Sequence, residues 1–251
     1  KAANPLRQIS AEYLAEKLAS ETLDFGEDWL RLTCNIATRS AFAAVPEADW
    51  DACETDERIP EGVPVAVGAD FAWLLDTTAI VPLWVRDPAF RLLGEPVVLT
   101  PPRDGTMLSP LDVKEAFLRM HERNPIELVV MDAHRAEDIA GWLSDELGLT
   151  VVPRPQTHEW AALDYSRFME AIGRRELRHT GDPVLRRHVL NAVSRRTAGE
   201  KRRFDRVPSR DVIRQDRRVI DALTAAAMVH ATVMAQPEPV SSWRLLNAEE
   251  V

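Results

Sequence analysis

The order of strand-like and helical segments limits the fold of this chain more than any other feature. Three strand-like runs come first in close succession, and two more follow, each preceded by a helical pattern. The strand-like runs are 63–72, 77–86, 91–99, 126–131 and 149–152, and the helical patterns are 109–123 and 136–147. Runs that follow closely pair as antiparallel hairpins, whereas runs separated by helices pair in parallel. The sequence predicts a mixed α/β sheet of about five core strands, the first three antiparallel, with helices on both faces.

Local signals set the bounds of these elements. Ser109 is typical of a helix N-cap, and Gly148 is a residue type that favours the end of a helix. Pro82 lies inside the second strand-like run, which predicts a bulge or an edge position there. Further helices are expected at about 158–173, 183–192 and 213–235.

The N-terminal part has a different composition. Residues 1–45 show helical spacing, and residues 46–62 contain prolines and many acids. We therefore expect a helical appendage and connector over 1–62 and a compact domain over 63–251. A chain of 251 residues is long enough for such a core.

Several classes of protein are excluded by the sequence. No apolar run approaches the roughly 20 residues of a membrane helix, and the start of the chain has no signal-peptide core. Cys34 and Cys53 are the only cysteines, too few for a disulfide framework or a zinc cluster. We expect a reduced intracellular protein without a membrane partner.

Three aspartates occupy positions where an α/β sheet gathers a site. Asp70 closes the first strand-like run, Asp132 directly follows the apolar run 126–131, and Asp221 lies early in the last helix. Neighbouring parallel strands end side by side, and a carboxylate next to a buried strand must be paired, protonated or bound to metal. Three converging carboxylates suit Mg²⁺ or Mn²⁺. Two such ions catalyse phosphodiester hydrolysis.

Each aspartate also has a structural interpretation. Asp70 can begin a turn, Asp132 can cap the next helix, and Asp221 can pair with neighbouring arginines. Asp76 is an additional candidate, although Asp76 also fits an ordinary turn. His134 lies close enough to Asp132 to reach a phosphate or a metal-bound water. Asp216 competes with Asp221 as third ligand, but five residues on a regular helix place the two on different faces.

Positive charge is concentrated in residues 167–218. This stretch holds 16 Lys and Arg against seven Asp and Glu, a net +9 in a chain whose formal charge is −9. Such segregation is typical of a nucleic-acid-binding face. A hairpin over 194–207 would carry five DNA-binding candidates: Arg195, Arg196, Lys201, Arg202 and Arg203. The alternative is that these cations pair with the acidic N-terminal half of the chain.

Taken together, these segments resemble the nuclease domain of the large terminase subunit of tailed bacteriophages. The resemblance covers about residues 5–235 and depends on the order and spacing of short motifs. They are 65–70 followed by 76–81, 128–132, the basic stretch 173–185, and 218–228, where Ile220-Asp221 precedes an alanine-rich run.

The resemblance implies a ribonuclease H-like fold in which Asp70, Asp132 and Asp221 bind two divalent ions, Mg²⁺ or Mn²⁺, and cut concatemeric double-stranded viral DNA during packaging. Its further implied partners are an ATPase domain of the same protein, the small terminase subunit and the portal, in the host cytoplasm. None of the ten glycines is followed by Lys, so no phosphate loop is present. We therefore expect an isolated C-terminal domain without ATPase activity.

Two alternatives remain open at this point. One keeps the fold but changes the substrate, as in a junction resolvase or a transposase core. The other is a non-catalytic DNA-binding module in which the carboxylates are structural.

Overall fold

The structure, a computed structural model, describes residues 43–102, 104–132, 135–197, 201–206 and 218–235. The chain divides into two compact units, residues 1–43 and 44–251. All but the last residue of the first unit lie outside the described residues.

The described residues form nine strands and six helices. The strands are β1 (Val65–Asp70), β2 (Thr78–Asp87), β3 (Phe90–Leu93), β4 (Val97–Leu99), β5 (Ile126–Met131), β6 (Thr150–Pro153), β7 (Leu177–His179), β8 (Ala192–Arg196) and β9 (Arg202–Arg206). The helices are α1 (Glu47–Asp51), α2 (Pro110–Arg123), α3 (Glu137–Asp145), α4 (His158–Gly173), α5 (Pro183–Leu190) and α6 (Asp221–Val233). None of these helices combines the length and apolarity of a bilayer-spanning segment.

Seven strands form one mixed sheet in the order β6-β5-β1-β2-β3-β7, with β4 also paired to β2. Strand β1 is antiparallel to β2, and β2 is antiparallel to β3 and β4. Strands β5 and β6 join β1 in parallel on one side, and β7 joins β3 in parallel on the other. The predicted mixed α/β class, with its first strands antiparallel, is confirmed. The count of about five strands was low, because the third predicted run is two strands and β7 is only three residues long.

Pro82 lies in the middle of an interior strand, so the expectation of a bulge or an edge was wrong. The β1–β2 register runs through the Val67–Pro82 pair without a shift. On its other side, the Pro82 carbonyl accepts a hydrogen bond from Gly94 N at 2.9 Å. Gly94 lies in the break between β3 and β4. The missing N–H of Pro82 therefore falls where the partner strand is interrupted, and its absence is tolerated.

Alternation along β1 supplies both layers of the core. Val65, Val67 and Ala69 point into a cluster under α2 and α3. Ala66 points into a second cluster that contains α4, α5 and α6. Because side chains alternate along a strand, Asp70 lies on the same side of the sheet as Ala66 and α6.

Residues 44–62 belong to the compact unit, which begins earlier than the predicted boundary at residue 63. Trp50 and Cys53 are buried. The Trp50 ring stacks on His179 at 3.8 Å between centroids, and the Cys53 thiol donates to the Ile172 carbonyl. The acidic composition of this segment concealed the two buried side chains that attach it to β7 and α4.

Candidate active site

Helix α6 crosses β1 at close range because residue 68 is a glycine. A Cβ atom at Gly68 would lie 2.0 Å from the Ala225 carbonyl oxygen and 3.1 Å from Val229 Cβ. The facing side of α6 is correspondingly rich in buried alanines. This close approach brings the first residue of α6, Asp221, to the end of β1, where Asp70 lies. Both carboxylates line one open cavity of about 230 Å³.

Asp70 is almost fully buried, with 7% of its surface exposed. Its Oδ1 accepts a hydrogen bond from Gln156 Nε2 at 2.9 Å. Burial raises the pKa of Asp70 to about 7, and the neighbouring Asp221 carboxylate adds to the increase, while the Gln156 hydrogen bond opposes the shift. An ionised Asp70 is therefore costly unless a cation compensates it.

Asp221 is held by the loop between β1 and β2. The backbone N–H of Thr77 donates to Asp221 Oδ2 at 3.1 Å, and the Thr77 hydroxyl donates to the same oxygen. Burial raises the pKa of Asp221, and the hydrogen bonds from Thr77 oppose that shift. The helix begins at Asp221 itself, because residues 218–220 are not helical. At the start of this helix, the backbone N–H of Ala222 donates a hydrogen bond to Nδ1 of the buried His188 at 3.0 Å.

Asp132 reaches the same end of the sheet through the parallel pairing of β1 and β5. Ala69 pairs with Met131, so Asp70 and Asp132 follow paired residues of adjacent strands. Asp132 is 7% exposed, and its charge contributes to the raised pKa of Asp70. Its Oδ2 lies 3.9 Å from Arg135 Nε. Its Oδ1 is buried without a hydrogen-bond partner among the described residues.

The structure thus brings the three predicted aspartates to one end of the sheet, with Asp70 and Asp221 in a shared cavity. Within the described ranges, no three His, Cys, Asp or Glu side chains lie close enough together to hold one metal ion as they stand. The donors nevertheless fit hard divalent cations: the buried Asp70 and the half-buried Asp221, both with raised pKa values, and the orphaned carboxylate oxygen of Asp132 are groups that a cation neutralises.

The auxiliary candidates fall in different places. Asp76 lines the cavity and forms an ion pair with Arg206, with Arg206 Nη1 2.7 Å from Asp76 Oδ1. His134 and Asp216 lie outside the described residues. Arg206 is the last residue of β9, so this ion pair joins the cavity to the basic hairpin.

The hairpin is present as β8 and β9, with Arg195 opposite Arg203 and Arg196 opposite Arg202. Phe204 attaches it to α4, with ring centroids 4.8 Å from Tyr165 and 5.6 Å from Phe168. The hairpin therefore has a fixed place beside the carboxylate cavity, which Arg203 also lines.

The five basic candidates have unequal partners. Arg195 and Arg203 both pair with Asp205, at 2.8 and 3.2 Å. Arg196, Lys201 and Arg202 are exposed, and none has a carboxylate partner in the described part of the chain. The alternative of internal pairing holds elsewhere in the basic stretch: Arg186 contacts Glu47 and Asp51, each at 2.8 Å.

Three contacts of the site were not predicted. Gln156 follows β6, Thr77 lies in the β1–β2 loop, and Arg206 ends β9. Thr77 and Arg206 lie in segments that the sequence singles out, 76–81 and 194–207, but no pattern indicates their partners, which are distant in sequence. The signal for Thr77 was that it directly follows the candidate Asp76.

Comparison with known proteins gives structural matches only. No known family profile matches the sequence, and no curated protein sequence matches it. The large terminase of bacteriophage HK97 matches with a TM-score of 0.57 and 19% identity, over 89% of this chain and 51% of the other. A large terminase from a thermophilic bacteriophage matches with a TM-score of 0.58 and 12% identity, over 91% of this chain and 53% of the other. This chain thus spans about half the length of those terminases.

In a third match, the aligned region covers almost the whole of the other protein. The large terminase nuclease of thermophilic phage G20c, solved with bound magnesium, aligns with a TM-score of 0.54 and 15% identity, over 78% of this chain and 98% of the other. The fold of this chain is therefore that of the ribonuclease H-like terminase nuclease domains. At the level of fold, the resemblance inferred from the sequence is confirmed.

Proposed function

We propose that this chain is the nuclease domain of a phage large terminase and cuts concatemeric double-stranded DNA in a metal-dependent reaction. The observation that carries the proposal is the placement of Asp70 and Asp221 in one cavity, with Asp132 at the end of the adjacent parallel strand. The same fold occurs in a terminase nuclease solved with magnesium.

The three carboxylates have distinct roles in this proposal. Asp70, Asp132 and Asp221 would hold the two cations, with Asp70 contributing to both and Asp132 and Asp221 contributing to one each. Mg²⁺ or Mn²⁺ ions held by these residues would supply the chemistry of activating a water and stabilising the departing 3′ oxygen. The chain itself fixes the carboxylates: Thr77 holds Asp221, Gln156 holds Asp70, and Gly68 permits the helix to approach.

The basic hairpin is the proposed DNA contact. Arg196, Lys201 and Arg202 are exposed on an element fixed beside the cavity. Contacts of Arg and Lys with phosphate position a duplex without reading its sequence, so we infer little sequence preference. Arg195 and Arg203 each use one guanidinium nitrogen to bind Asp205, so this carboxylate competes with phosphate for them.

The remaining proposals concern the whole protein. In it, residues 1–62 follow an ATPase domain, and the assembled enzyme works with a small terminase subunit and a portal in the host cytoplasm. The support is the similarity to large terminases about twice as long as this chain.

Plasmid cleavage tests the proposal. We expect nicking and linearisation with Mn²⁺ or Mg²⁺, none with EDTA, and loss of cleavage in Asp70→Asn and Asp221→Asn. Asp112→Asn is the matched control, because Asp112 is an exposed carboxylate on α2, away from the cavity. Full cleavage by Asp70→Asn would refute the assignment. Preference for four-way junctions would favour a resolvase, and salt-dependent binding without cleavage by any metal would favour a binding module.

A further inference from the structure

Gln156 lies in a short connection whose backbone is fixed on both sides. Before it, Arg154 N donates to the Met131 carbonyl at 2.7 Å, continuing the β5–β6 pairing. After it, Thr157 caps α4 by accepting from Trp160 N. The Arg154 side chain is also anchored, since it pairs with the buried Asp164 and lies 3.9 Å over the Trp160 ring.

From this position Gln156 reaches across β5 to β1. Its Nε2 donates to Asp70 Oδ1 at 2.9 Å, and Asp70 accepts no other side-chain hydrogen bond in the described ranges. Gln156 also lines the cavity shared by Asp70 and Asp221. One carboxylate oxygen of Asp70 is therefore fixed by an amide, while the other is left for a different ligand.

The chemistry of the donor matters at this place. A Lys or Arg donor would bring a positive charge into a site that must accept cations, and would compete with them. An amide orients the carboxylate without adding charge. Some groups hydrogen-bond a metal-binding carboxylate without contacting the metal themselves. Removing such a group typically weakens metal binding about 10- to 100-fold.

We propose that Gln156 is a positioning residue that orients the Asp70 carboxylate for divalent cations through a neutral hydrogen bond. The proposal rests on the proposed function, since it assumes that Asp70 binds metal. Gln156 acts through Asp70 and is not itself a ligand or a catalytic residue.

Mn²⁺ binding, measured by calorimetry, tests this role in the whole chain. Gln156→Met keeps the length of the side chain and removes the donor, and we expect Mn²⁺ affinity to fall about 10-fold. Gln156→Lys restores a donor but adds charge, and we expect an affinity at least as weak. Asp112→Asn is the control, because it removes a carboxylate from an exposed position on α2, away from the cavity. Its affinity should equal that of wild type.

Cleavage kinetics provide a second readout. In Gln156→Met we expect the metal concentration for half-maximal cleavage to rise about 10-fold, with most of the rate recovered at saturating Mn²⁺. Circular dichroism establishes that each variant is folded. Wild-type affinity in Gln156→Met, or full rescue by Gln156→Lys, would overturn the positioning role. Absence of Mn²⁺ binding by the wild type would instead overturn the proposed function and this inference with it.

Discussion

Among the carboxylates that the structure describes, Asp70 has the environment that departs furthest from that of an ordinary carboxylate. It is buried beside two other acids, and its side-chain hydrogen bond comes from a neutral amide. In the absence of metal, its ionised form is unfavourable. The same property suits a cation site, because bound metal removes the cost of burying the charge.

Asp70 therefore makes the metal-free protein less stable as the pH rises. Its pKa is raised to about 7 in the folded state from 3.8, so between these values the folded protein binds more protons than the unfolded one. Stability consequently falls from about pH 4 to about pH 7 and then levels off. We expect Asp70→Asn in EDTA to melt above wild type at about pH 8 by several degrees, and near wild type at about pH 4.

Thermal melts of both proteins across this range check the prediction. The comparison with wild type isolates Asp70 from His188 and His230, whose pKa values burial lowers to about 4 and about 3. An equal difference in melting temperature at both ends of the range would contradict the claim that burial raises the pKa of Asp70 in the metal-free protein.

At the scale of elements, the approach of α6 to β1 assembles the site. It depends on Gly68, where a Cβ atom would overlap the Ala225 backbone. Backbone cannot move aside as a flexible side chain does, so Gly68→Ala should displace α6. We expect a loss of about 2–3 kcal/mol in the free energy of unfolding, together with loss of Mn²⁺ binding, because Asp221 moves with the helix.

Gly141→Ala is the matched control for this prediction. Gly141 lies inside α3, and its added Cβ would meet no atom nearer than 4.0 Å. Alanine favours a helix interior over glycine, so this variant should be more stable by about 1 kcal/mol. Denaturant unfolding measures both changes. Equal stabilities for the two variants would show that the helix does not depend on the close contact.

Most elements were predictable because their signals are local. Ser109 accepts from Leu111 N at the start of α2 as its position predicts, and Ile126–Met131 is strand β5. The predicted basic hairpin is also present. Strand β7 was not predicted, since three residues carry too little pattern. The last helix was expected from about residue 213, but residues 218–220 are not helical.

The candidate site was predictable only in its acids and in Arg203 of the basic hairpin. Strand order placed Asp70 and Asp132 together, because parallel strands end on the same edge. The partners of these acids depend on crossing angles and loop paths that no local pattern encodes. Gln156 lies 86 positions from Asp70, and Thr77 lies 144 positions from Asp221.

At the scale of the whole molecule, charge distribution matters more than net charge. The formal charge of −9 alone argues against a DNA partner, yet the exposed cations Arg196, Lys201 and Arg202 share a hairpin beside the cavity. Each phosphate neutralised contributes about 0.9 to the slope of log affinity against log salt. Replacing all three with alanine should reduce that slope by about 2–3 and weaken binding similarly on all sequences.

A second triple variant controls for charge alone. Lys114→Ala, Arg119→Ala and Arg123→Ala remove the same charge from α2, on the opposite face of the sheet. This variant should bind duplex DNA with the wild-type salt slope. Fluorescence anisotropy across a salt series measures both. If both triple variants reduced the salt slope equally, DNA binding would depend on the overall electrostatic field of the molecule and not on the hairpin.

A crystal structure of the chain soaked in Mn²⁺, with the ions located by anomalous scattering, tests the metal centre most directly. We predict two Mn²⁺ ions at the end of β1, coordinated by Asp70, Asp132 and Asp221, with Asp70 shared between them. Ions bound elsewhere, or an empty carboxylate cavity at millimolar Mn²⁺, would contradict a metal-dependent nuclease centred on these residues.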